Sequence, residues 1–302
     1  MKNKKILIIA GGGTKHLASF KKEAKELGVN LTTASFSDLE YLTDEADFVL
    51  KVKGKDVASF DLIYIRLVGK RFEDVALLTS YAKEKGVAIV DKIYERSQYI
   101  RLPLAKSLET KLLYKAGIPI PKTFFGNLSK IKKKGPEIFG LPFVIKGTVG
   151  KQGHAVWSPR NPEELEKLIQ DLGESERKGG RFIAQEFIKA SQRDRVLVIG
   201  GKAIAAITRP TRWRRRFIEK VNGEYPEGKR KGLIPVPKKD AELAISAARA
   251  LSIDIGGVDI IHEDAINKTY VLEVNSAPRW EAIKKDTRLN VEREIIKFLA
   301  SA

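Results

Sequence analysis

No cysteine occurs among the 302 residues, which excludes disulfides and thiol catalysis and is compatible with a cytoplasmic location. Histidine is nearly as scarce, with three residues scattered along the chain, so the nitrogen and sulfur ligands that favour zinc are missing. No apolar run approaches the roughly 18 residues needed to cross a membrane, and no membrane partner is expected. Met1-Lys2-Asn3-Lys4-Lys5 followed by Ile6 to Ala10 has the order of a signal peptide. Its apolar core is too short, however, and Gly11-Gly12-Gly13 follows at once, so a first β-strand is expected instead. Acidic residues are in deficit: 38 Asp and Glu against 56 Lys and Arg leave a net charge of +18. That surplus favours an anionic partner, whether nucleotide, acidic peptide or nucleic acid.

What is present reads as packed α/β structure, with 43% hydrophobic residues arguing against global disorder. Strands are expected at Lys5 to Ala10, Val29 to Ala34, Asp61 to Ile65 and Val87 to Val90. Between them lie amphipathic helices, one with Leu17, Phe20, Ala24 and Leu27 on a single face, the other from Glu73 to Lys85. This alternation predicts a parallel sheet over roughly the first 100 residues. A helix from Ser107 to Ala116 then runs into Ile118-Pro119-Ile120-Pro121, and Leu141 to Lys146 is a strand ending at a glycine-rich turn. Asn161 caps a helix that Gly173 closes, leaving Glu174 to Gly180 as a connection. Further strands lie near Arg181 to Phe187, Arg195 to Ile199 and Ala203 to Thr208, with helices from about Asp240 to Leu251 and from about Asn290. The cluster Lys130 to Lys134 reads as solvated surface.

Chemistry concentrates at two runs, Gly257-Val258-Asp259-Ile260-Ile261 and Val271-Leu272-Glu273-Val274-Asn275, expected to pair as an antiparallel hairpin across a polar turn from His262 to Lys268. Alternation puts Glu273 and Asn275 on one side and turns Leu272 and Val274 into the core. With Asp259 from the neighbouring strand they supply hard oxygen ligands of the kind Mg²⁺ prefers. Lys146, at the end of an apolar strand and ahead of Gly147, Gly150 and Gly153, is placed to meet phosphate oxygens. Gly11-Gly12-Gly13 matches neither dinucleotide nor Walker A spacing and reads as a turn.

Glu273-Val274-Asn275-Ser276-Ala277-Pro278 after a Gly-Val-Asp-Ile strand resembles the ATP-grasp ligases, in particular the RimK-type ribosomal-protein glutamate ligases. The resemblance implies an ATP-grasp fold: an N-terminal parallel α/β domain (residues 1–101) and two α+β lobes (102–180 and 181–302) that clasp ATP. It implies that Asp259, Glu273 and Asn275 hold two Mg²⁺ ions, with Mn²⁺ as a substitute, and that Lys106, Lys146, Gly150 and Gly153 contact nucleotide phosphates. Gln185, Glu186, Phe187 and Ile188 resemble the hinge that reads adenine. Arg195 and Arg209 match arginines that bind the transferring phosphoryl group, so the catalytic set is Arg195, Arg209 and Lys146. Arg66, Arg71, Arg214 and Arg279 are candidates for the substrate. Arg279-Trp280 departs from the Pro-Gly-Leu of the family, and these bulky side chains are expected to reshape the acceptor pocket.

The expected activity is ATP-dependent amide formation through an acyl phosphate, adding an amino acid to an acidic amino acid, peptide or protein. A dipeptide ligase similar to D-alanine ligases or glutathione synthetase is the alternative within the class, and a homo-oligomer is consistent with either. A nucleotide- or RNA-binding protein without ligase activity is the alternative outside it, carried by the basic run Arg212-Trp213-Arg214-Arg215-Arg216. Amine-dependent phosphate release separates ligation from salt-dependent RNA binding.

Overall fold

The computed structural model describes residues 4–11, 14–43, 48–69, 71–96, 106–148, 155–178, 180–190, 192–210 and 231–302. The chain begins with the parallel sheet, in strand order β2 (Asn30–Ser35), β1 (Lys5–Ala10), β6 (Leu62–Leu67), β7 (Ala88–Val90). Ile6 to Ala10 are buried throughout, because a central parallel strand is covered on both faces and reads as a continuous apolar run. Helices α1 (Ala18–Glu26) and α2 (Phe72–Glu84) supply the cover, with Phe20 and Ala24 of the first and Val75 and Leu78 of the second turned inward. The strands β3 (Leu39–Thr43), β4 (Phe48–Val52) and β5 (Lys55–Asp56) form a small antiparallel sheet that the sequence pattern does not announce. Gly11 donates to the Leu67 carbonyl at 2.5 Å, and a Cβ there would stand 2.2 Å from the Val68 oxygen. The glycine is set by this close approach of two strand ends.

A second sheet is antiparallel, in the order β10 (Val156–Trp157), β9 (Val144–Gly147), β11 (Phe182–Gln185), β8 (Thr123–Gly126). Helices α4 (Leu128–Phe139) and α5 (Pro162–Arg177) cover it. Together they build an apolar cluster of their own, including Ile131, Phe143, Ile145, Leu165 and Phe182. Two expectations are corrected here. Gly173 does not close its helix, which continues to Arg177 because Leu172 keeps the buried face in step. The strand at residues 182–185, read with the third unit, instead pairs with β8 and β9. Lys130, Lys132, Lys133 and Lys134 are exposed on α4, as a solvated surface requires.

The third layer is a five-stranded antiparallel sheet, ordered β14 (Lys231–Leu233), β13 (Lys202–Pro210), β12 (Gln192–Ile199), β15 (Ile255–Glu263), β16 (Lys268–Asn275). Helix α6 (Lys238–Ala250) packs on one face through Ala244, Ala247 and Ala248, which join Val196, Val258 and Ile260 in a shared core. The opposite face meets α7 (Glu281–Thr287) and α8 (Val291–Ser301), with Leu197 and Ile207 against Ile283 and Ile295. Both of these apolar clusters also contain residues of the N-terminal parallel sheet. Asp91, fully buried just after β7, joins the two: its Oδ1 accepts from Asp254 N and, at 2.8 Å, from Ile255 N, while Asp91 N donates to Asp254 Oδ2 at 2.9 Å.

Candidate active site

The expected hairpin is formed by β15 and β16, and Asp259 stands opposite Glu273 in its register. Its pleat differs from simple alternation. The register slips between Asp259 and Ile260, so that Ile260 faces Val271 and Leu272 is an extra residue. Val271 and Val274 therefore both enter the core, while Leu272, expected there, packs beside Tyr270 and Ile188 and lines a small cavity with Lys106, Glu109, Lys146 and Gln185.

Asp259 has no exposed surface. Its Oδ1 accepts from Arg195 Nε at 2.5 Å, and its Oδ2 from Arg195 Nη2 at 2.8 Å. Arg193 Nη1 lies 3.1 Å from that Oδ2. Arg193 and Arg195 are two apart on β12 and so share its site-facing side, opposite Ile261 and Asp259 in register. Glu273 Oε2 accepts from Lys106 Nζ at 2.9 Å, and its Oε1 from Asn275 Nδ2 at 3.1 Å; Arg195 Nη2 is 3.7 Å away. Burial opposes ionisation of Glu273, but Lys106, the hydrogen bonds and Arg195 outweigh it and hold the carboxyl well below the usual range. Lys106 is raised for the converse reason: burial disfavours its charge, and Glu273 and Glu109 more than restore it.

Lys146 arrives from the other sheet, on β9. Burial, then the charge of Lys106, pull its ammonium down to about 8, against the attraction of Glu273 and Glu109. Glu109 sits one turn after Lys106 on α3 (Lys106–Lys115) and receives Val274 N at 2.7 Å. Burial pushes its carboxyl up to about 7, against the pull of Lys106. Arg193 and Glu109 are the two site residues that the sequence reading missed. The spacing that joins Glu273 to Asn275 also joins Arg193 to Arg195, and helical spacing joins Lys106 to Glu109.

This is a pocket in which Lys106, Lys146, Arg193 and Arg195 outnumber Asp259, Glu273 and Glu109, a balance suited to a polyanion. Glu273 and Asn275 offer oxygen donors fit for Mg²⁺. Asp259 fits by chemistry too, but both of its oxygens are engaged by guanidinium groups, so an ion must share them or displace an arginine. Gly257 holds the neighbourhood together, since a Cβ there would stand 2.7 Å from Pro278 Cβ and 3.6 Å from Arg195 Cδ. Gly257→Ala is expected to cost about 1–3 kcal/mol through overpacking, read as a lowered thermal midpoint; an unchanged midpoint would show that the Pro278 loop yields freely.

The RimK-like ATP-grasp domain, as a family, matches residues 104–299. The chain belongs to this family. A probable alpha-L-glutamate ligase of Teredinibacter turnerae is 32% identical over 196 residues, 63% of this chain and 60% of that protein. One from Syntrophotalea carbinolica is 28% identical over 262 residues, 82% of this chain and 78% of its own length. The chain thus spans about 60% of the first of these relatives. Among solved structures, the ATP-grasp ligase PsnB complexed with a precursor peptide and AMPPNP superposes with a TM-score of 0.72 at 15% identity, covering 99% of this chain and 97% of that one. A RimK domain ATP-grasp protein from Sphaerobacter thermophilus gives 0.65 at 17% identity, covering 98% and 99%. The fold is therefore ATP-grasp, as the resemblance implied.

The other ATP-grasp expectations fall as follows. Gln185 is buried in β11 and donates to Thr123 Oγ1 at 2.8 Å. Glu186 accepts from Lys122 N at 2.7 Å, so its carboxylate closes the end of the β8–β11 pair, where a contact to adenine or ribose was expected. Phe187 is half-buried, and Ile188 is buried against Ala190 and Ile261. Arg66 does not stand free for a substrate: its guanidinium lies 4.0 Å over the Trp280 ring and donates to the Pro278 carbonyl at 3.0 Å. Arg71 pairs loosely with Asp74 at 3.9 Å, and Arg279 is exposed. Trp280 was expected to reshape the acceptor pocket but is buried. It sits edge-on to Phe20 and donates to Glu292 Oε1 at 3.2 Å, because the apolar ring finds its cover between the first sheet and α8. Arg209 lies on β13 opposite Arg193 in register. Gly150, Gly153 and the basic run with Arg214 lie outside the described residues.

Proposed function

We propose that the chain is an ATP- and Mg²⁺-dependent carboxylate–amine ligase that forms an amide through an acyl phosphate, with an acidic amino acid, peptide or protein as acceptor. The observation that carries this reading is the buried convergence of Lys146 from one sheet with Lys106, Arg193, Arg195, Asp259 and Glu273 around the other. Mg²⁺ held by Asp259, Glu273 and Asn275 would supply charge neutralisation at the phosphates. Lys106 and Lys146 bind phosphate oxygens, and Arg195 faces the transferring group, with Arg209 as the second arginine assigned to that group. A substrate carboxylate oxygen attacks the terminal phosphorus and the bond to the bridging oxygen breaks, releasing ADP. An amine nitrogen then attacks the acyl carbon, the carbon–oxygen bond to phosphate breaks, and one amine proton is lost. The residues act by positioning and charge, and none serves as nucleophile. Solved relatives of the same fold hold precursor peptides, which supports a peptide substrate, and curated relatives named alpha-L-glutamate ligases make glutamate the first amino acid to try.

The test is release of ADP and phosphate across a panel of amino acids and acidic peptides, with mass spectrometry of the products. An amide that requires one acid and one amine establishes ligation; absence of ADP formation with every pair sinks it.

The Lys146 ammonium gives a pH signature. Pulled down to about 8 in the free site, it is largely neutral at pH 9 and charged at pH 6.5. Phosphates placed beside it raise it again, so nucleotide binding takes up a proton near pH 9 and very little near pH 6.5. Calorimetry in buffers of different ionisation heat reads this uptake, and affinity is expected to fall as pH rises above 8. An equal proton balance at both pH values would remove Lys146 from the phosphate site.

A further inference from the structure

On the other face of the same two strands, three residues far apart in sequence meet. Asp194 follows Arg193 on β12 and points away from it; His262 lies at the end of β15; Asp240 belongs to the first turn of α6. His262 Nε2 is 3.2 Å from Asp240 Oδ2 and 3.4 Å from Asp194 Oδ2. Ligand atoms of all three lie within 4.8 Å of one another. Nδ1 of the same ring is 3.2 Å from Oγ1 of Thr269, its cross-strand neighbour. Asp194 is 9% exposed and Asp240 3%, yet Oδ1 of each is buried without a hydrogen-bond partner.

We propose that Asp194, Asp240 and His262 form a second metal site, for one divalent transition ion of the zinc class, separate from the Asp259–Glu273 pocket. The spacing argues for an ion over a hydrogen-bonded cluster. Ligands about 2.0–2.1 Å from a tetrahedral ion stand roughly 3.3 Å apart. Charge-assisted N–H to carboxylate bonds are shorter, about 2.7–2.9 Å, and a single Nε2 hydrogen shared between two carboxylates makes only a long three-centre bond. Two carboxylates with an orphaned oxygen each are costly to bury beside one imidazole, and a dication offsets both. Thr269 occupies Nδ1, which leaves Nε2 for the ion and fixes the ring, as a supporting partner does in metal sites. One nitrogen and two carboxylates suit zinc better than Mg²⁺. The half-buried face of His262 leaves a fourth position for water. Bound there, the ion ties the start of α6 to β12 and β15, the strands that carry Arg195 and Asp259.

The hydrogen bonds to Asp194 and Asp240 push the imidazole up to about 10, against burial, so the ring carries a proton at neutral pH that an ion must displace. Binding is accordingly expected to release a proton and to tighten as pH rises.

The test uses the full chain, stripped with a chelator and checked by circular dichroism, then titrated with Zn²⁺ alone and with Co²⁺, whose visible absorption reports tetrahedral coordination. One tightly held ion is expected in the wild type and equally in Glu273→Gln. His262→Gln and Asp240→Asn are expected to weaken it about a hundredfold or more, and Thr269→Val, which keeps every ligand and serves where a ligand variant fails to fold, about tenfold. An ion lost in Glu273→Gln but kept in His262→Gln belongs to the other pocket and overturns the proposal. So does a wild type that binds no more tightly than His262→Gln. The readout needs no ligase activity, so its failure leaves the proposed function untouched.

Discussion

Lys146→Ala is expected to lower the rate of ADP formation by about a hundred- to a thousandfold, the usual loss when one preorganised charge is withdrawn from a transferring group. Stability should move the other way or not at all. The wild-type ammonium is held below its ordinary pKa by burial and by Lys106, so folding places a cation where it is disfavoured, and removing it relieves that cost. A residue retained against stability is the mark of a site built for a ligand. Parallel measurement of turnover and of the thermal midpoint checks both halves. Turnover within a few fold of wild type would remove Lys146 from the reaction, and a large fall in the midpoint would make it structural. Glu273→Gln is expected to share the loss of turnover, because it removes the carboxylate that Lys106, Asn275 and a metal ion would share.

Asp91→Ala is expected to cost about 3 kcal/mol. It leaves the N–H groups of Asp254 and Ile255 without their acceptor at a fully buried junction, and each such group costs about 1–3 kcal/mol. Asp91 also has a positive φ of 61°, which Asn tolerates and Ala does not. Asp91→Asn keeps the accepting oxygen and the backbone preference, so it is expected to cost about a third as much. Urea midpoints at constant slope read the difference. Equal losses in the two variants would mean that the carboxylate's acceptor role is not what holds the junction.

The parts of the fold that repeat a local pattern were legible. Continuous apolar strands, the helix capped by Asn161 and the helix from about Asn290 appear close to where their residues place them. The run from Glu273 to Pro278 after the Gly-Val-Asp-Ile strand carried the resemblance to the family. What escaped was non-local. Nothing in Leu272 announces the bulge that turns it from core to cavity wall, because a bulge is defined by the partner strand. Arg66 looked like a free cation until the fold laid Trp280 beneath it. His262 looked isolated because its companions lie 68 positions before it, at Asp194, and 22 before it, at Asp240, so only the sheet and the start of α6 bring them together.

The sheet that carries Lys146 keeps its hydrocarbon to itself, whereas the sheet that carries Asp259 and Glu273 shares its core with the N-terminal strands. Where the two bodies meet around the Lys106–Lys146 pocket, charged side chains and backbone groups such as the Lys106 N to Thr148 O bond, 3.0 Å long, face each other beside a short apolar strip of Ile183 and Leu272. A separation of the two bodies at this pocket would wet only that strip. The heat-capacity change of that motion should be small, and its energetics should follow ionic strength more than temperature.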